Sequence, residues 1–195
     1  MTPDISLAVY DCLSHCNIRE YPVKIRALVH SRYFYDLNIG FQTYENAEKY
    51  KTGISDYFRS KDGICVYFFA ANQHIIFYNT KIKPQSRITF TIAHEIGHAL
   101  LGHMITTAFL SHKHDRNELY IDSSTLDTSY EKEADSFAWY LLAHPLVLSG
   151  KNCTDRSSIA KLCNISNAAA SRCAAQKDDA GSFNRWDHMI KRMIC

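Results

Sequence analysis

His94, Glu95 and His98 stand in the run His-Glu-Ile-Gly-His, two imidazoles four residues apart with a carboxylate beside the first. On a helix, residues four apart lie one turn up on the same face, so His94 and His98 can clamp one ion. Glu95 is turned about 100° away and need not be a ligand. It is placed instead to deprotonate an attacking water, the chemistry that Zn²⁺ makes accessible near neutral pH. Ile88, Ile92 and Ile96 recur on a stripe roughly opposite the histidines, so this helix has one face for a core and one for a metal.

A zinc site of this kind needs a third protein ligand. The metzincin pattern, with a third His six residues after the second, fails: position 104 is Met and His103 falls one short. An upstream Glu-Gly-Cys segment of the peptide deformylase type is also missing. The run Glu131-Lys132-Glu133-Ala134-Asp135 supplies the acidic groups instead. Glu131 and Asp135 share a helix face. The first suits a metal shell and the second can accept the free ring N–H of a ligating His. Glu133 points to another face and is the second choice as ligand.

The elements that must hold these residues read as an α+β plan. Helices are expected at 4–16 and after Pro22, with the aromatic run 34–41 leading into a first strand. A polar helix is expected over 45–60. Two β-prone runs, 65–71 and 75–78, flank a hairpin turn. A helix follows Pro84 to about His103, then a loop-rich stretch to Ser129, then a patterned helix from Tyr130 to Ala143 ending before Pro145. Two short helices near 155–163 and 167–177 precede a polar tail. The sheet is expected to be small and antiparallel. Residues 1–150 read as the main domain and 151–195 as a helical appendage.

Composition narrows the function classes. With 22 Lys+Arg against 20 Asp+Glu, the 195-residue chain has no field to steer it to nucleic acid or an anionic membrane. No run approaches the roughly 18 apolar residues of a membrane span. The N-terminus has no basic segment and no signal-type apolar core, and the seven Cys are scattered without a CxxC pair. A cytoplasmic protein with reduced thiols is expected.

The stretch RITFTIAHEIGHALL (87–101) resembles the signature of the ImmA/IrrE family of zinc metallopeptidases, and EKEADSFAWYLL (131–142) with Pro145 resembles that family's second signature. IAKLCNISNAAASR (159–172) is similar to the helix-turn-helix-like pair that usually follows. The family's usual Leu-Leu-Met-Pro reads Leu141-Leu142-Ala143-His144-Pro145 here. The resemblance implies a compact zincin-like fold with a small sheet over the His-Glu-x-x-His helix. It implies Zn²⁺ held by His94, His98 and Glu131, with Glu95 as general base. It further implies cleavage of a helix-turn-helix repressor that silences mobile-element or stress genes.

In such enzymes an extended substrate pairs with an edge strand, for which 75–78 is the choice here. The group that would stabilise the oxyanion stays open among His103, His112, His114, Tyr120 and Tyr130. Two other readings compete. A DNA-binding regulator would work through 155–177, but the second helix there offers Arg172 as its one basic reader. A non-cleaving anti-repressor would use zinc structurally, whereas closed structural sites normally have four protein ligands.

Overall fold

A computed structural model of the chain describes residues 4–49, 61–110, 120–176 and 183–195. It contains two compact units, one of residues 34–135 and one of residues 1–33 with 136–195.

The unit of residues 34–135 is built on a four-stranded sheet of β1 (Ile39–Thr43), β2 (Gly63–Phe68), β3 (Gln73–Tyr78) and β4 (Tyr120–Asp122), in the order β1-β3-β2-β4. The hairpin β2–β3 forms as the β-branched and aromatic runs require, with Cys65 opposite Ile76 and Asn72 at positive φ in the turn. β4 pairs antiparallel with β2, Tyr67 opposite Ile121. β1 pairs parallel with β3, Phe41 opposite Ile76. The sheet is therefore mixed and not wholly antiparallel, because the hairpin inserts β3 between β1 and β2. The same insertion corrects the expectation for 75–78. That strand is bonded on both sides, and the edges among the described residues are β1 and β4.

Alternation along the strands gives the sheet two faces. Ile64, Val66 and Phe77 pack with Tyr44 and Ala47 of the short helix Tyr44–Glu48. The remainder of the expected polar helix at 45–60 lies outside the described residues from 50 onward. The opposite face of β2 carries Gly63, which lies under Thr91 and Glu95 of the helix Gln85–Leu100. Ile88, Ile92 and Ile96 of this helix are buried, as their spacing requires.

The helix stops at Leu100 and not at His103. Leu101 caps it and Gly102 takes a left-handed φ of 71°. Glycine carries no Cβ penalty there, so the chain turns and starts a new helix, His103–Leu110. The stretch expected to be loop thus contains that helix, β4 and a 3₁₀ turn at Ser123–Thr125. The next helix is Thr128–Ala143, two residues longer at its start than expected.

In the unit of residues 1–33 and 136–195, the helix Ile5–His15 packs against the helix Arg185–Ile194. The latter lies where a polar tail was expected. Asn184 and Asp187 form a capping box at its start, and Ile190 and Ile194 are buried. The pair Arg156–Cys163 and Asn167–Gln176 forms as expected, joined through Asn164 at φ 52°. His144, which stands where the resembled family has Met, caps the helix Pro145–Gly150. Its Nδ1 accepts the Leu146 N–H at 3.2 Å, and its Nε2 donates to Asp187 Oδ1 at 3.0 Å. No described helix is long and apolar enough to cross a membrane.

Candidate metal centre

His94 and His98 project one turn apart from the helix Gln85–Leu100, as their spacing dictates. Their Nε2 atoms are 3.0 Å from each other. Glu131, in the first turns of Thr128–Ala143, brings Oε2 to 3.4 Å from His94 Nε2 and Oε1 to 3.3 Å from His98 Nε2. These three residues were expected together, and the fold brings them together. A tetrahedral ion with metal–ligand bonds of about 2.0–2.1 Å places its ligand atoms about 3.3 Å apart. The two nitrogens and the carboxylate oxygen nearest each are separated by about that much, and one ligand atom from each residue lies within 4.8 Å of the others, so the donor set fits a single metal ion of zinc's dimensions.

The electrostatics favour positive charge at this point. Burial opposes the charged form of His94, but hydrogen bonds with Asp135 and Glu131 override it and raise its pKa to about 10. Hydrogen bonds with His94 and His98 hold the Glu131 carboxyl far below the usual carboxylate range. The carboxylates of Glu131 and Asp135 beside the two imidazoles thus favour positive charge at this point.

Each ring has a partner behind it. His94 Nδ1 is 2.9 Å from Asp135 Oδ1, the outer contact that the Glu131/Asp135 spacing suggests. His98 is fully buried, and its Nδ1 is 2.9 Å from Nδ1 of His103. His103 in turn places Nε2 3.1 Å from Glu133 Oε2. Glu133 is therefore not a member of the donor triangle. The sequence reading missed its pairing with His103, although Gly102 immediately before His103 was a signal that the chain folds back there.

Glu95, next in sequence to His94, is buried, and its charge acts on the His94 ring. Ser123 donates its hydroxyl to Glu95 Oε2 at 3.0 Å and accepts the Cys65 N–H at 3.1 Å. Ser123 was also missed, since it follows β4 directly and nothing local marks it. Of the residues left open for the oxyanion, His103 is excluded: it is 1% exposed and both ring nitrogens are engaged. Burial, with His98 next to it, pushes its pKa down to about 3. Tyr130 stacks on its ring with centroids 4.7 Å apart. Tyr120 lies exposed on β4, and His112 and His114 lie outside the described residues.

A family model described as the IrrE N-terminal-like domain, a peptidase family, matches residues 43–146, just over half of the chain. The chain belongs to this family. The matched span contains β2, β3 and β4 and both the histidine and the acidic segment of the centre, and it accords with the ImmA/IrrE resemblance of 87–101 and 131–142. No curated protein matches the chain. Membership in a metallopeptidase family implies a protein substrate, and the cluster His94, His98 and Glu131 is one that could hold a metal ion.

Proposed function

We propose that this protein is a zinc-dependent endopeptidase that cuts a helix-turn-helix transcriptional repressor and so releases the genes it silences. The observation that carries the peptidase reading is the convergence of His94 Nε2, His98 Nε2 and a Glu131 oxygen on one point, with the buried carboxylate of Glu95 acting on the His94 ring. Three protein ligands leave one position of a tetrahedral ion open, as catalytic sites require. The repressor as substrate rests on the ImmA/IrrE resemblance.

Zinc, when bound, would supply Lewis acidity for the scissile carbonyl and for the attacking water near neutral pH. The rest falls to the chain. His94, His98 and Glu131 would hold the ion, and Asp135 would keep the His94 ring oriented for it. Glu95 takes a proton from the attacking water and delivers it to the leaving amine nitrogen. Ser123 fixes one oxygen of that carboxylate. The sheet edge that runs into Ser123 is β4, and it replaces 75–78 as the strand along which an extended substrate would lie.

The test is direct. Metal analysis of the purified chain is expected to find one zinc per molecule. Glu95→Gln is expected to keep that zinc and abolish cleavage of a co-expressed repressor, read by mass spectrometry of the intact partner. Full cleavage by Glu95→Gln, or a chain without zinc, would sink the reading.

A further inference from the structure

We propose that His103 and Glu133 act as a positioning relay that fixes the tautomer and ring orientation of His98, a role that rests on the metal-site reading above. The two histidines of the triangle are oriented in different ways. His94 meets a carboxylate directly, through Asp135. On its Nδ1 side His98 reaches a carboxylate through a second imidazole: His98 Nδ1 to His103 Nδ1 at 2.9 Å, then His103 Nε2 to Glu133 Oε2 at 3.1 Å.

The polarity of this chain follows from which nitrogen faces the triangle. His98 presents Nε2 to Glu131 and His94, so Nε2 is the ligand atom and Nδ1 carries the hydrogen. Two Nδ1 atoms in contact need one donor and one acceptor. His98 therefore donates, and His103 accepts at Nδ1 and carries its hydrogen on Nε2. That hydrogen has an acceptor waiting in Glu133. Every step has one proton and one lone pair, and no other assignment satisfies all three groups.

The surroundings make the arrangement hard to replace. His98 and His103 are 0% and 1% exposed, so an N–H of His98 without a partner would be buried and unpaired. The turn at Gly102 is what returns His103 to the helix it has just left. Tyr130 stacks on the His103 ring and limits its rotation. Glu131, Glu133 and Asp135 consequently serve the same ion in three ways: as ligand, through His103 to His98, and directly on His94.

The experiment uses the zinc-loaded full chain. With ¹⁵N-labelled histidine, long-range ¹⁵N–¹H correlations are expected to show His98 protonated at Nδ1 and His103 protonated at Nε2. Zinc affinity, measured by competition with a chelator, is expected to fall roughly 10–100-fold in His103→Phe, the cost of losing an outer partner of a metal-bound His. His103→Asn, whose Oδ1 can take the place of Nδ1 as acceptor, is expected to recover most of that loss. Glu133→Ala, a substitution at a partly exposed side chain, carries the test should His103→Phe not fold. It is expected to weaken zinc binding and release His103 from a single tautomer. A His103 protonated at Nδ1, wild-type zinc affinity in His103→Phe or Glu133→Ala, or an affinity in His103→Asn no better than in His103→Phe overturns the relay alone. A wild-type chain that takes up no zinc overturns the functional reading and the relay with it.

Discussion

Asp135 holds Oδ1 2.9 Å from Nδ1 of His94, one helical turn beyond Glu131. A carboxylate behind a ligating imidazole sets its orientation and raises the basicity of the other nitrogen, here the Nε2 that faces Glu131. Asp135→Ala is expected to lower zinc affinity by roughly 10–100-fold. Asp135→Asn, which keeps an acceptor oxygen but not the charge, is expected to fall between. The side chain is 45% exposed, so thermal stability of the metal-free chain should stay near wild type. Chelator competition on the three proteins checks the order, and equal affinities would show that Asp135 does not act on the ion.

Ser123 joins the sheet to the base. Its hydroxyl donates to Glu95 while accepting the Cys65 N–H, so one oxygen ties β2 to the helix that carries the metal ligands. Ser123→Ala strands a buried backbone N–H, at a cost of about 1–3 kcal/mol. It also frees Glu95 to rotate. Urea unfolding is expected to show the stability loss, and kcat is expected to drop while zinc content and KM hold. A variant with wild-type kcat would assign Ser123 to the fold alone.

Gly63 marks a close approach of the same helix to the sheet. A Cβ at this position would lie 2.5 Å from Thr91 Cγ2, 3.2 Å from the Phe77 carbonyl oxygen and 3.4 Å from Glu95 Cγ. Gly63→Ala must therefore push the helix or strand aside, an overpacking cost of about 1–3 kcal/mol. Because Glu95 rides on that helix, the displacement reaches the base. Gly63→Ala combined with Thr91→Ser, which removes the closest methyl, is expected to recover part of both stability and turnover. Unaltered melting and turnover in Gly63→Ala would mean the helix does not bear on β2 there.

How much of this was readable beforehand depends on whether the information was local. The cluster of His94, His98 and Glu131 was legible because His94/His98 and Glu131/Asp135 are both four-residue spacings on single helices, and because Ile88, Ile92 and Ile96 fix which face is buried. The hairpin was legible for the same reason. The parallel pairing of β1 with β3 was not, since a strand's pattern reveals its buried faces and not its neighbours. The helix His103–Leu110 was hidden by Ile105, Thr106 and Thr107, β-branched residues of low helix propensity. Burial of Met104 and Ala108, four residues apart on one face, outweighs that preference. The His103–Glu133 and Ser123–Glu95 contacts depend on the Gly102 turn and on the placement of β4, neither of which leaves a periodic trace.

His74 makes a prediction about acid. It lies on β3 with its ring 4.7 Å from that of Tyr67, and its buried Nε2 finds no partner among the described residues. Burial lowers its pKa from 6.5 to about 4. Between these two values the unfolded chain binds a proton that the folded chain refuses, so stability rises with pH across the window. In the other direction it is lost as pH falls from about 6.5 through 4, on the order of 2 kcal/mol by pH 5. His74→Phe keeps an aromatic ring beside Tyr67 and removes the titration. Urea unfolding of both proteins in chelator, at pH 7.5 and pH 5, isolates the effect from zinc release. The wild type is expected to lose more stability than the variant over that interval, and parallel losses would place the acid sensitivity elsewhere.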